Sequence, residues 1–183
     1  MHLLASTSGI ISDQNDAIDL CQSPGDIVIL SAADSDLACL SAAFQRFKVG
    51  KHSLRLANLL QLNHNLSVDL YIEKTLCHAR LIIIRLIGGR NYWLYGLSEI
   101  EAVAKKFDIR LVVIPGDDKP DLELTSYSTV SPEITERFWM YFTHGGIDNA
   151  LNLLIYANSI LGDKEPWKEP APLLKAGFYW PSI

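Results

Sequence analysis

Short continuous runs of valine, isoleucine and leucine recur along this sequence, and they limit the folds that it can adopt. Runs without strict polar alternation are typical of parallel strands in a sheet that is covered on both faces. Four segments have this character, at residues 2–6, 26–31, 80–87 and 109–114. Residues 53–58 form either a further strand or the start of a helix that continues through LANLLQL, and the sequence leaves both alternatives open.

Helical patterns lie between these runs, with apolar residues spaced three and four positions apart. One such pattern covers residues 67–79, where Ser67 is the predicted N-cap. A second covers residues 98–107, where Ser98 and Glu101 have the spacing of a capping box. We therefore expect both helices to begin at these serines.

Two more helices are predicted near the end of the chain. Ser131-Pro132 has the pattern of a helix start, and Gly145-Gly146 that of a helix end. A further helix runs from about residue 148 to residue 161. Strands that alternate with helices indicate an α/β fold, with a doubly wound, mainly parallel sheet of flavodoxin-like or Rossmann-like type. The last two helices form an appended C-terminal helix pair.

The length of 183 residues suits one hydrophobic core, so we expect one α/β domain at residues 1–162. Residues 163–183 form a tail that is rich in proline and carries Trp167, Phe178, Tyr179 and Trp180. This tail packs either along its own domain or against protein that is absent from this chain. In the second case it leads into an absent remainder.

Composition excludes several classes of protein. The net charge of −5 argues against a nucleic-acid-binding protein, since phosphate contacts need a basic surface. Three widely spaced cysteines without a CxxC motif indicate reduced thiols in the cytosol. No apolar stretch approaches the roughly 20 residues that cross a bilayer, and MHLLASTSGIISDQ lacks the basic start of a signal peptide. We expect a soluble cytoplasmic protein without a membrane span.

The stretch IIIRLIGGRNYW, at residues 82–93, places a charge and a glycine pair at the end of an apolar run. Arg85 should be paired with a carboxylate near the strand ends, because an uncompensated buried charge is costly. Gly88 and Gly89 are interpreted as structural residues of a tight turn. They do not complete a G-x-G-x-x-G motif, and Gln45 replaces the first glycine of a Walker motif. The chain is therefore not expected to bind ATP at micromolar concentration.

Ligands of open α/β sheets bind outside the carboxyl ends of the strands, and polar side chains collect at that edge here. Arginine suits a carboxylate through paired donors, and aromatic rings suit a flat ligand. Asp117 and Asp118 are also typical turn residues, and His64 precedes a helix, where a capping or loop role is favoured. The candidate ligand-binding residues are Arg90, Tyr92, Trp93, Asp117, Asp118 and His64, with Asp34 and Asp36 on the same edge.

No metal site or catalytic residue can be assigned from spacing. Asp69, Glu73 and Cys77 share one helix face, which is more typical of a solvated surface than of a metal site. The histidines show no HExxH or other ligand spacing. The residues alone thus predict an α/β domain with a candidate site at the sheet edge, and they name no reaction.

Several long motifs resemble the large subunit of ATP-dependent cobalt chelatase, which is related to the large subunit of magnesium chelatase. The motifs are SPGDIVILSAADSDL (23–37), LRLANLLQLNHNLSVDLYIEK (54–74), RLIGGRNYWLYG (85–96) and PGDDKPDLEL (115–124), followed by FTHGGIDNALNLLIY and GFYWP. Asn65 departs from the proline that the family pattern has after the histidine. Members of this family are several times longer, so the chain resembles their N-terminal segment.

This resemblance implies that the chain belongs to a ligase that inserts Co²⁺ into a corrin-type tetrapyrrole in cobalamin biosynthesis. It implies that ATP is hydrolysed on separate AAA+ subunits, that this segment holds no cofactor, and that it is inactive alone. The implied partners are the remainder of the large subunit, the AAA+ subunits and the tetrapyrrole substrate. The alternative is a stand-alone α/β binding module of flavodoxin-like or receiver-like type, which would carry a bound cofactor or phosphate.

Overall fold

The computed structural model describes residues 16–46 and 51–172, and a sheet of four parallel strands lies at its centre. The strand order is β2-β1-β3-β4. The strands are β1 (Ile27–Ser31), β2 (Leu54–Asn58), β3 (Leu81–Leu86) and β4 (Arg110–Pro115). Three of them confirm predicted strands, and β2 settles the open alternative at residues 53–58 in favour of a strand. The predicted strand at residues 2–6 lies outside the described residues.

Helices connect the strands and follow the last one. They are α1 (Asp34–Arg46), α2 (Asn65–Lys74), α3 (Leu94–Phe107), α4 (Leu122–Thr125), α5 (Pro132–His144) and α6 (Ile147–Ile160). α1, α2 and α3 link successive parallel strands, so the sheet is built from βαβ units. This architecture confirms the predicted α/β fold.

Burial on both faces of the sheet explains why the strands read as unbroken apolar runs. Successive side chains of a strand point to opposite faces, and here each face lies against helices. On one face Val28 and Ile82 belong to a core that α2 and α3 complete through Tyr71 and Ile100. On the other face the alternate strand residues pack with α1, α5 and α6, among them Leu40, Phe138 and Leu154.

The predicted C-terminal helix pair corresponds to α5 and α6. Ser131 precedes α5, with Pro132 in its first turn, and the helix ends at Gly145, which has a φ of 65°. Phe138 and Tyr141 of α5 are fully buried. The pair therefore contributes a large part of the core beneath one face of the sheet.

The start of α2 differs from the prediction that Ser67 caps a helix over residues 67–79. His64 is the N-cap, and its Nδ1 accepts a hydrogen bond from the N–H of Leu66 at 3.2 Å. Ser67 lies inside the helix, buried, where its Oγ accepts a bond from the N–H of Ile18. The helix ends at Lys74 and gives way to a short 3-10 turn. The predicted cap was wrong because the imidazole of His64, rather than a serine hydroxyl, accepts the capping hydrogen bond.

The predicted capping box of α3 is also wrong. α3 begins at Leu94, one turn before Ser98, and Trp93 occupies the N-cap position without a side-chain capping bond. Glu101 instead pairs with Lys105 one turn later, at 2.7 Å. Burial of Trp93, described below, fixes where this helix begins.

The outer edge of β4 is closed by hydroxyl groups. The N–H of Leu111 donates to Oγ1 of Thr129 at 2.8 Å, and the N–H of Val113 donates to Oγ of Ser128 at 2.9 Å. These side chains take the place of a further strand, since they accept hydrogen bonds from backbone N–H groups that an open sheet edge would expose.

Across residues 16–46 and 51–172, no helix combines the length and apolar character needed to cross a lipid bilayer.

Candidate functional site at the carboxyl ends of the strands

The carboxyl ends of all four strands lie side by side. The parallel register aligns Ser31 with Asn58 and with Arg85, and Arg85 with Ile114. The loops that leave these ends therefore meet at one edge of the sheet. We call this edge, with residues 32–36, 59–64, 87–95 and 116–123, the carboxyl rim.

Arg85 joins four parts of the domain at this rim. Its side chain is 12% exposed, and its Nη1 lies 2.5 Å from Oδ2 of Asp36, which is 14% exposed. Its Nη2 donates to the carbonyl of Gly116 at 2.7 Å, and the guanidinium lies 5.3 Å from the ring centroid of Phe142. Asp36 also accepts a bond from the hydroxyl of Ser31 at 2.7 Å. The prediction that Arg85 is paired with a carboxylate near the strand ends is confirmed.

This ion pair occupies the crevice between β1 and β3, where the strand order reverses. Open α/β sheets bind ligands at such a switch point, and a phosphate there lies against the N-terminus of the following helix. The first turn of α1 instead carries two carboxylates, Asp34 and Asp36, and Asp36 already neutralises Arg85. Negative charges in this position oppose an anion, so the crevice does not suit the phosphate of a flavodoxin-like cofactor.

Gly88 and Gly89 turn the chain away from β3. Their φ values are 90° and 73°, a region that residues with a side chain rarely adopt. The turn leads into a single 3-10 turn at Arg90–Tyr92, before α3 begins. These angles fit the structural role predicted for both glycines.

Arg90 and Tyr92 lie open on the rim, as expected. The Nε of Arg90 lies 3.0 Å from Oε1 of Glu123, at the start of α4, and both side chains are substantially exposed. An exposed pair of this kind contributes little to stability and is screened by salt. The tyrosine ring is 53% exposed. These two side chains are accessible to a partner.

Trp93, by contrast, is buried, although the sequence placed it on the open rim with its neighbours. It is 6% exposed, and its indole N–H donates to the carbonyl of Leu62 at 2.9 Å. The indole lies over Gly96, where an added Cβ would be 2.2 Å from the ring. Trp93 therefore supports the rim from within the core and does not present a ring face to a ligand. The spacing of Trp93 and Gly96, one helical turn apart, was the sequence signal for this contact.

The other candidate ligand-binding residues are His64, Asp117 and Asp118. His64 is half-buried and caps α2, as described above. Asp117 and Asp118 are exposed, and Oδ1 of Asp117 accepts a bond from the N–H of Lys119 at 3.3 Å. Asp117 thus stabilises its own turn, and its carbonyl accepts the indole N–H of Trp139 at 2.9 Å. The ligand-binding role of these residues stays a prediction.

Cys39 lies on α1 one turn after Asp36, beside a small cavity of about 200 Å³. Burial, and secondly the charge of Asp36, raise the pKa of the Cys39 thiol. The thiol is therefore held in its protonated form, which is a poor nucleophile and a poor metal ligand. Among residues 16–46 and 51–172, no three His, Cys, Asp or Glu side chains gather as metal ligands.

A groove beside the rim was not anticipated from the sequence. It has a volume of about 480 Å³, and its walls come from the end of β4, α4 and α5. Leu122, Val130 and Trp139 give it a largely apolar lining, with Asp121 and Glu136 at its margin. Sequence patterns could not reveal this groove, because it forms only where the end of β4, α4 and α5 pack together. The contacts described above for the rim and the groove assign no acid–base or nucleophilic role to any residue.

Comparison with known proteins gives a consistent result. No protein-family model matches the chain. The aerobic cobaltochelatase subunit CobN of Sinorhizobium sp is 47% identical over 181 residues, which is 99% of this chain and 14% of that protein. The CobN subunit of Pseudomonas aeruginosa is 40% identical over 182 residues, again 99% of this chain and 14% of that protein.

A solved structure agrees with these relatives. The catalytic subunit of cobaltochelatase from Mycobacterium tuberculosis superimposes with a TM-score of 0.66 and 26% identity, over 85% of this chain and 12% of that chain. This chain therefore spans a small part of the length of the proteins that it matches. Over 99% of its length it is a homologue of one segment of the cobaltochelatase subunit CobN, as its sequence motifs predicted.

Proposed function

We propose that this chain is the N-terminal domain of a cobaltochelatase large subunit of the CobN type. In this role it takes part in the ATP-dependent insertion of Co²⁺ into a corrin-type tetrapyrrole during cobalamin biosynthesis. The observation that carries the proposal is the 47% identity with CobN over 181 residues, which leaves almost no part of the chain unmatched. Cobalt and the tetrapyrrole are the substrates of the whole assembly.

Within this assembly the domain is proposed to have a structural and positioning role. Metal insertion requires that the tetrapyrrole loses its inner N–H protons and that Co²⁺ sheds water. The carboxyl rim instead holds an internal ion pair, a capped turn and exposed apolar side chains. Carboxylates at the start of α1 also support a division of labour in which AAA+ subunits bind ATP.

An exchange experiment tests this function. The matching segment of Sinorhizobium CobN is replaced by this chain, and cobalt insertion is measured with ATP and the AAA+ subunits. We expect the chimera to retain activity within about tenfold of the parent, which corresponds to about 1.4 kcal/mol in the barrier. The parent with the segment deleted is the control, and we expect it to be inactive. A folded chimera that inserts no more cobalt than the deletion would refute the proposal.

A further inference from the structure

We infer that the exposed apolar part of the carboxyl rim is the surface through which this domain packs against the remainder of a CobN-type subunit. The inference rests on the proposed function and names the partner of the rim. The surface in question, the apolar patch, consists of Ile87, Tyr92, Leu94 and Leu122.

The patch is unusually exposed for side chains of this kind. Ile87 is 50% exposed, Tyr92 is 53% exposed and Leu122 is 84% exposed. Covering such side chains is favourable by about 25 cal/mol for each Å² of apolar surface removed from water. A contiguous exposed apolar surface on a folded domain is typical of an interaction site.

Contacts between the loops place the patch residues on neighbouring segments. A Cβ added to Gly116 would lie 2.2 Å from Cγ1 of Ile87. This close approach brings the loops after β3 and β4 into contact. Leu122 stands between Asp121, whose carboxylate approaches Gly89, and Glu123, which pairs with Arg90. The loops that follow β3 and β4 therefore lie against each other and carry the patch between them.

The margin of the patch is polar. Arg90 and Glu123 form an exposed ion pair beside it, and Asp117 and Asp118 lie exposed in the loop after β4. An apolar centre with tyrosine and arginine, surrounded by a solvated polar margin, is the usual composition of a protein–protein interface.

Much of the rest of the domain is already covered. Helices lie on both faces of the sheet, and hydroxyl groups close the edge of β4. Residues 163–172 lie along α5 and α6, where the rings of Trp167 and Tyr156 are 4.7 Å apart and Arg137 pairs with Glu169 at 2.9 Å. Within the described residues, ten large apolar side chains are exposed, and six of them lie on the rim: Leu60, Ile87, Tyr92, Leu94, Tyr95 and Leu122.

The length of the relatives identifies the partner. This chain matches 14% of each CobN relative and 12% of the solved catalytic subunit, so most of each of those polypeptides lies outside the matching domain. Domains of one chain that pack together do so through interfaces of about 600–1,500 Å². The apolar patch supplies the apolar surface for such an interface.

A tetrapyrrole fits the patch less well. The rim has two cations: Arg90 is already paired with Glu123, and Lys119 follows Asp117 and Asp118 directly. Trp93 is buried. Asp117, Asp118 and Asp121 add negative charge to the same rim, which opposes a ligand that carries several carboxylates.

Hydrogen exchange tests the inference by comparing the isolated chain with the full-length chimera described above. We expect the backbone amides of residues 87–95 and 121–125 to exchange at least about tenfold more slowly in the chimera. Residues 104–109, at the opposite end of the sheet, should exchange equally in both. In the chimera with Ile87→Ser and Leu122→Ser the protection should disappear. Phe107→Ser is the matched control, since Phe107 is 51% exposed and lies at that opposite end.

Three results would overturn the inference. Equal exchange of the rim in the isolated chain and the chimera would show that the remainder does not cover it. Protection that appears only when tetrapyrrole is added would make the rim a ligand surface, and protection of the isolated chain that grows with concentration would make it a contact between two copies. If the chimera inserts cobalt while its rim stays unprotected, this inference fails and the proposed function stands.

Discussion

The ion pair between Arg85 and Asp36 links more parts of the domain than any other side-chain contact described above. It joins β3 to α1, and the same guanidinium reaches Gly116 after β4 and Phe142 on α5. Each partner is largely withdrawn from water, so the pair is worth most when both members are present.

We expect Arg85→Leu to lower the free energy of unfolding by about 3–5 kcal/mol, because Asp36 would stay charged and largely buried without its partner. Urea denaturation of the isolated chain measures this loss. The double variant Arg85→Leu with Asp36→Leu should be more stable than Arg85→Leu alone, since it removes the orphaned charge. A double variant that is less stable than the single one would contradict this account.

Asp26 gives the domain a defined response to acid. Its carboxylate accepts bonds from the hydroxyl of Ser53 at 2.7 Å and from the N–H of Ser53 at 2.9 Å. These bonds, and further the nearby His52, lower the pKa of Asp26 in the folded state. A lowered folded-state pKa stabilises the protein above the unfolded pKa of about 4, and the contribution disappears as the pH falls through the folded value.

Asp26→Asn should therefore reduce stability near neutral pH and have little effect in strong acid. In urea titrations over a pH series, the free energy of unfolding of this variant should fall less between about pH 6 and about pH 3 than that of the parent. Ser53→Ala, which removes one of the bonds, should show an intermediate dependence. Parallel curves for the parent and Asp26→Asn would be inconsistent with the proposed role of this carboxylate.

At the scale of secondary-structure elements, Trp93 and Gly96 decide where α3 begins. The buried indole donates to Leu62 and lies across the helix at Gly96, which has no side chain to obstruct it. The helix thus starts one turn before Ser98, the residue with the better capping pattern. Packing of one ring outweighs a local capping preference here.

Gly96→Ala separates helix propensity from packing. Propensity alone would raise stability by about 1 kcal/mol, because alanine is the better helix former. We expect instead a loss of about 1–3 kcal/mol, since the new methyl group would overlap the buried indole. Urea denaturation gives the sign of the change. Ser98→Ala is the control on the same helix and should be close to neutral, because Ser98 is exposed and does not cap α3.

The strands could be predicted because a strand that is buried on both faces of the sheet appears in the sequence as a continuous apolar run. Ile82, Ile83 and Ile84 point alternately into two cores, so a polar residue fits at none of these positions. α1 was not assigned, because its segment DSDLACLSAAFQR mixes small and polar residues and buries only Leu40 and Ala43. Its first residues also resembled a loop after a strand.

The pairing of Arg85 could be predicted from the cost of a lone buried charge, but the choice of Asp36 could not. That choice depends on β3 lying beside β1, which no local pattern reveals. The groove between α4 and α5 was missed because its walls form only when these two helices pack beside the end of β4. Tyr92 is exposed whereas its neighbour Trp93 is buried. The path of the turn after Gly89 determines which of the two rings enters the core, and the sequence does not reveal that path.

At the scale of the whole molecule, the domain is closed on its sheet faces and open at its carboxyl rim. Residues 163–172 of the predicted tail lie on α5 and α6 through Trp167 and Glu169, and the remaining tail residues lie outside the described residues. The CobN relatives are much longer than this domain, and we infer that the apolar patch of the rim packs against the rest of such a subunit. The proposed role is therefore that of one packed domain within a larger subunit of the CobN type.

Calorimetric unfolding is the most direct test of whether the rim is covered in a full-length subunit. The melting temperature of this domain within the full-length Sinorhizobium chimera should lie about 4 °C or more above that of the isolated chain, since a covered rim stabilises the folded state. Ile87→Ser with Leu122→Ser should return the domain in the chimera to the melting temperature of the same variant in isolation, whereas Phe107→Ser should leave the difference in place. A domain that melts at the same temperature in the chimera and in isolation would contradict the account.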